Sequence, residues 1–259
     1  MAFSKITPKK LAAEARKRLQ ALADPARAEG ARRYFKAKDE VLFLGISTPE
    51  MRALDQEFFK KIQPGWGVDE ATEFCQIMLA DPYHEARGLG ILILERYRKD
   101  FPKSAFWMIK DWLSADCCNS WALVDILCPN SVGALLEKYP DLVDEIKDWT
   151  QSPNRWVRRA SIVSFIKLAK KSKYLDPIYD IVKLLFSDRD DLIQKASGWL
   201  LREAGKTDPA RLEKFLRRHG PAMARTTVRY AIERFPEAKR RALLLATKKP
   251  PPPTRGHPL

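Results

Sequence analysis

The sequence predicts an all-α fold: an α-solenoid of HEAT-like helix pairs with a concave basic face. Three observations predict it. A polar turn recurs at Ala80-Asp81-Pro82, Ala115-Asp116-Cys117, Gln151-Ser152-Pro153 and Ser187-Asp188-Arg189, about every 35–36 residues, with an apolar helix-like segment on either side. Two copies align without a gap, Trp149-Thr150-Gln151-Ser152 through Ala160-Ser161 and Leu185-Phe186-Ser187-Asp188 through Ala196-Ser197. Strand signals are almost absent. A run such as Ile91-Leu92-Ile93-Leu94 suits a buried strand as well as a buried helix, and the repeat decides for helix.

Taken in order, residues 3–30 read as a basic amphipathic helical segment. It starts at Thr7-Pro8, has Leu11, Ala15, Leu19 and Leu22 at helical spacing, and is broken by Asp24-Pro25. A second helical stretch runs through Arg32, Arg33, Tyr34 and Phe35. After the compact run Leu42 to Ser47, Thr48 is the expected N-cap and Pro49 the first helical residue, with Glu50 at the positive end of the helix dipole. That helix stops before Pro64-Gly65. The repeats follow, and a last pair runs from Arg211 to Phe235 with Pro221 between its members. One domain is expected over 1–247. The tail 248–259 carries four consecutive prolines, which cannot continue a helix, and reads as a disordered basic extension.

The totals restrict the function classes. The 259 residues carry 47 Lys+Arg against 33 Asp+Glu, a formal net charge of +14, which favours a polyanionic partner. No apolar run approaches the ~20 residues of a membrane span, and no signal-peptide core opens the chain, so a cytoplasmic or nucleoid location is expected, with no membrane partner. Cys75, Cys117, Cys118 and Cys128 form no CxxC, and three histidines add little to them, so buried reduced thiols are expected, without metal or cofactor.

The residues that stand out are Trp121 and Asp125, one helical turn apart in an otherwise basic chain. Counted from the polar turn, they fall in the second helix of one repeat, Arg159 in that of the next, and Trp199 in that of the following one. Second helices of a solenoid line one surface, so these side chains are expected to converge there, with Arg87, Arg158, Arg202, Arg225 and Arg229 forming a track for phosphates. A carboxylate in such a groove is either paired structurally with Arg159 or catalytic. Breaking an N-glycosidic bond develops positive charge on the sugar, which a fixed carboxylate stabilises while it positions water. A purine alkylated at N3 or N7 is already cationic and leaves without an acid, and indole faces attract such a base.

These residues resemble the AlkD family of DNA alkylation repair enzymes, HEAT-like-repeat DNA glycosylases, over roughly residues 30–235. The resemblance rests on Phe43-Leu44-Gly45-Ile46-Ser47-Thr48-Pro49-Glu50, on Ser120-Trp121 with Asp125, on Trp156-Val157-Arg158-Arg159-Ala160, and on the string from Ile193 to Glu203. It implies a monomeric base-excision glycosylase that hydrolyses 3-methyladenine and 7-methylguanine from double-stranded DNA. By it, Asp125 is the catalytic carboxylate, Trp121 and Trp199 flank the lesion, and Arg159 contacts the backbone nearby. Tyr34, Thr48, Arg52 and Arg202 match positions that hold DNA. Ala122 departs from relatives that carry an acidic residue there. The alternatives are a non-catalytic DNA-structure binder on this scaffold and a protein-interaction scaffold.

Overall fold

The computed structural model describes residues 6–35 and 41–249; the proline-rich tail from 250 onward lies outside them. The chain, expected from its sequence to form one domain over 1–247, packs as two compact units, Met1–Ser164 and Phe165–Leu259. Both are all-α, stacked helix pairs in keeping with a helical-repeat solenoid. Among the described residues there is no strand beyond one isolated bridge between Leu42 and Tyr83. No described helix is long and apolar enough to cross a membrane.

The first unit contains α1 (Pro8–Ala21), α2 (Pro25–Arg32), α3 (Thr48–Ile62), α4 (Val68–Leu79), α5 (His84–Glu95), α6 (Ala105–Ser114), α7 (Trp121–Leu127), α8 (Gly133–Lys138), α9 (Leu142–Asp148) and α10 (Arg155–Val163). Its core is aromatic, with Phe58, Phe74, Phe101, Phe106 and Trp149 fully buried. The Thr7 side chain accepts from Lys10 N at 3.3 Å and starts α1 as expected. Asp24-Pro25 does more than break a helix. Asp24 caps α2, accepting from Arg27 N at 3.0 Å, and Pro25 fills its first position, where a missing N–H costs nothing. α2 then ends at Arg32 instead of running through Phe35. The start of α3 differs by one residue from the expected one. Ser47, not Thr48, is the cap: its hydroxyl accepts from Glu50 N at 3.4 Å, and the Glu50 carboxylate accepts from Ser47 N at 2.8 Å. Two donors are satisfied reciprocally, which a Thr48 cap would not achieve.

The second unit contains α11 (Ile166–Ala169), α12 (Leu175–Leu184), α13 (Asp191–Thr207), α14 (Pro209–His219), α15 (Arg225–Ala231) and α16 (Glu237–Ala246), around Ile178, Ile181, Leu200, Leu201, Leu212 and Leu216. α16 follows the last pair foreseen from the sequence. Gly198 sets how closely α13 and α15 pack, since a Cβ there would stand 2.4 Å from the Tyr230 Cβ and 2.7 Å from the Thr227 carbonyl oxygen.

The recurring polar turn has a physical explanation. Six residues after its central position stands a donor that reaches back to the turn carbonyl. Arg87 Nε donates to Asp81 O at 2.6 Å, Arg158 Nη1 to Ser152 O at 2.9 Å, and Gln194 Nε2 to Asp188 O at 3.1 Å. Each bond satisfies a carbonyl of the turn between two helices. In the turn at Asp116 the equivalent position is Ala122, which has no donor. There Asn154 of the next repeat substitutes, donating from Nδ2 to Asp116 Oδ1 at 3.0 Å and to Ser114 O at 3.3 Å.

Candidate active site

The short helix α7 carries the candidate chemistry. Ser120 caps it, accepting from Leu123 N at 3.2 Å, and Leu123, Val124 and Leu127 bury its inner face. Trp121 and Asp125 are left partly exposed one turn apart. Pro129 follows and has no N–H for the carbonyl four residues back, that of Asp125. The helix responds with a π-turn over Cys128–Val132, closed by Gly133 N–H to Cys128 O, so the ladder slips by one residue just past the carboxylate. Gly133 lets the chain pass α10, because a Cβ there would meet Ser164 O at 2.8 Å.

Asp125 is held by a two-pronged ion pair. Arg159 Nε lies 2.8 Å from Oδ1 and Nη2 lies 2.7 Å from Oδ2. The pair is uneven, with the guanidinium side chain 6% exposed and the Asp125 side chain 17% exposed, so the acid is the more accessible partner. Burial pushes the Asp125 carboxyl above its ordinary pKa, and the hydrogen bonds and charge of Arg159 pull against that shift. Nearby Cys128 is fully buried, and burial likewise raises the Cys118 thiol to about 12. Of the four cysteines expected to be buried and reduced, all are free thiols, and only Cys117 is partly exposed.

The Trp121 indole is stacked. Phe35 lies 5.1 Å from it, centroid to centroid, with the planes only 15° apart. Phe43 and His84 complete the cluster, at 5.0 Å and 5.9 Å from Phe35. His84 opens α5, and its Nε2 sits 3.2 Å from Ser120 Oγ, tying the start of α7 to that of α5. Burial, with the charge of Arg87 adding and that of Glu85 opposing, lowers its pKa to about 4, so the imidazole is neutral at physiological pH. Glu85, the next residue, is buried and accepts from the backbone N–H groups of Leu44 at 3.0 Å, Gly45 at 2.8 Å and Ile46 at 3.3 Å. Gly45 has φ +82°, and a Cβ on it would fall 2.1 Å from Asp24 O. This buckle fixes the loop that leads into α3, so Thr48 and Arg52 stand on a rigid base. Between that loop, α3 and α5 lies a cleft of about 410 Å³, mostly apolar, reaching Ile126 beside Asp125.

The expected site residues separate into those in place and those otherwise engaged. Trp121, Asp125 and Arg159 come together within the first unit. Tyr34 is 77% exposed, and Thr48 and Arg52 are exposed. Arg158 is different: its Nη1 donates to Ser152 O and, at 3.0 Å, to Pro153 O, which makes it a turn clamp. In the expected basic stripe, Arg87 has the same turn role, and Arg225 donates to Thr247 O and Leu244 O, both at 3.0 Å, closing the end of α16. Arg229 is exposed. Arg159 faces Asp125 where a phosphate contact was expected. In the second unit, Trp199 is partly exposed on α13, and Arg202 pairs with Glu233 and with the buried Glu203 at 3.5 Å. Phe35, His84 and Glu85 were not foreseen. An aromatic pair at Tyr34-Phe35 and a His-Glu pair opening a helix were the only signals, and nothing local says what they touch.

A solved structure described as "Predicted DNA alkylation repair enzyme from Enterococcus faecalis" is similar in fold, with a TM-score of 0.72 at 19% identity, covering 83% of this chain and 97% of that one. No curated protein sequence matches the chain. The model of the family described as "DNA alkylation repair enzyme" matches residues 15–235, and the chain belongs to that family.

Proposed function

We propose that this protein is a monofunctional DNA glycosylase of base excision repair, acting as a monomer on double-stranded DNA. It hydrolyses the N-glycosidic bond of cationic N3- and N7-alkylated purines such as 3-methyladenine and 7-methylguanine. The observation that carries this reading is the unevenly exposed Asp125–Arg159 pair beside a stacked indole, in a basic chain of a DNA alkylation repair family. Arg159 fixes the orientation of the carboxylate and opposes the rise in its pKa that burial causes. The carboxylate is thereby set before substrate arrives, which makes its charge effective in a partly desolvated place. As the glycosidic bond lengthens, positive charge moves from the purine to the sugar, and Asp125 stabilises it there and orients the attacking water. The electron pair of the broken bond neutralises the leaving base, so no general acid is called for. Trp121, backed by Phe35 on one face, offers the other to the cationic base and sugar, and Trp199 is likewise assigned to the lesion. Tyr34, Thr48, Arg52 and Arg202 are assigned to the DNA backbone. Arg158 acts on the turn that precedes α10 and is a positioning residue in this scheme.

The two-pronged bond to Arg159 also favours a second reading, in which Asp125 is structural and the protein binds DNA without cleaving it. Base release by the wild type separates the two, and Asp125→Asn tests the carboxylate. Under single-turnover conditions on a duplex with one 7-methylguanine, the variant should release base at least about a hundredfold more slowly, with duplex affinity unchanged or slightly higher. Wild-type protein that binds the duplex and releases no base would establish the second reading, and a variant that is folded by thermal melting and releases base at the wild-type rate would remove Asp125 from the chemistry.

A further inference from the structure

The second unit has a cleft of its own, between α12 and α14, with a volume of about 530 Å³. No residue assigned above to the lesion or to duplex DNA lines it. Its floor is aromatic: the Tyr179 and Phe215 ring centroids are 4.7 Å apart, and Phe215 and His219 are 4.8 Å apart. Its rim is cationic, with Lys183, Arg211, Lys214 and Arg218 around two carboxylates. Those carboxylates are already matched, Asp176 by Arg211 and Asp180 by Lys183 at 2.6 Å. Lys214 and Arg218 have no ion-pair partner among the described residues, and both are exposed. They stand four positions apart on one face of α14, a like-charge arrangement that disfavours the helix unless an anion lies between them.

Two further observations concern residues that line the cleft. The Tyr179 hydroxyl is buried without a hydrogen-bond partner, and burial raises its pKa to about 12, so it remains a donor at neutral pH. His219 is lowered by burial and by the charges of Arg218 and Lys183, which shows how closely positive charge is gathered around its ring. Cations alone would select any anion. Cations beside an aromatic ring select an anion that carries a ring of its own, which is the chemistry of a nucleotide. A duplex hides its base faces, whereas a single strand and a free nucleotide both expose them.

We propose that this cleft is a nucleotide-binding site, in which Lys214 and Arg218 hold a phosphate and Phe215 presents its ring to a base. It goes beyond the glycosylase reading and does not depend on Asp125. The test measures binding of a short fluorescein-labelled oligothymidylate to the full chain by anisotropy, with dTMP and inorganic phosphate as competitors. Lys214→Ala/Arg218→Ala should weaken oligothymidylate binding at least about tenfold, and Phe215→Leu, which keeps an apolar side chain there, about fivefold. Both variants should melt like the wild type and bind undamaged duplex within about twofold of it. Competition by dTMP would identify a free nucleotide as sufficient, and competition by unlabelled oligomer alone would identify a strand; each supports the site. Unchanged oligothymidylate affinity in the double variant would overturn the proposal. So would competition by inorganic phosphate equal to that by dTMP together with no effect of Phe215→Leu, since that describes a plain anion patch.

Discussion

The Asp125–Arg159 pair decides how the reaction should depend on pH. Asp125 must be ionised to stabilise a cationic sugar, so activity should fall as pH drops through its pKa in the folded protein. Burial holds that pKa above the ordinary carboxylate value, and Arg159 restrains it. Replacing Arg159 by Gln removes the restraint, and the acid limb of the single-turnover pH–rate profile should move to higher pH. The same change leaves a buried carboxylate without its counter-charge and should lower stability by about 3 kcal/mol near neutral pH, measured by denaturant unfolding. Because Arg159 is engaged with Asp125 and only 5% exposed, the salt dependence of duplex binding should not change. An unmoved acid limb with a flattened salt slope would return Arg159 to the phosphate backbone. Here the limits of a linear reading are plain. The sequence shows that Arg87, Arg158, Arg159 and Arg225 are charged and recur on second helices. It does not show that Arg87 and Arg158 clamp turns or that Arg225 closes α16, because partners in space are set by packing. Phe35 makes the same point: its stacking on Trp121 links positions far apart in the chain.

Among the elements, the helices and turns were legible where local chemistry decides them. The polar turns mark the breaks between α4 and α5, α6 and α7, and α12 and α13. Ser47 was missed as a cap because Ser47 and Thr48 are both good caps, and only the partner three residues on, Glu50, distinguishes them. The π-turn after α7 was not foreseen, although Pro129 is its visible cause. The start of α7 is held by His84, and this has a measurable consequence. A histidine with a pKa of about 4 when folded and 6.5 when free binds its proton mainly in the unfolded chain between those values. Its contribution is therefore complete above pH 6.5 and is lost as pH falls toward 4, a loss of at most about 3 kcal/mol. His84→Asn removes this dependence. The wild type should lose more stability than the variant between pH 6.5 and 4 in denaturant titrations, and parallel curves would show that His84 is not buried neutral.

For the molecule as a whole, charge, repeat and family agree. A net charge of +14 draws the chain to a polyanion, helix pairs supply long surfaces, and the family match places it in DNA alkylation repair. The repeat period made the all-α architecture legible, while the division into two units and the α12–α14 cleft had no linear signature. The central claim is that a single carboxylate suffices because the substrate base is already cationic. It is tested most directly by single-turnover rates on otherwise identical duplexes carrying one 7-methylguanine or one uracil, with the released base identified by chromatography. The account predicts release of 7-methylguanine and, for uracil, a rate lower by at least about a hundredfold, since a neutral base would need an acid that the described residues of this site do not present. Comparable rates on the two, or no release of 7-methylguanine, would contradict it.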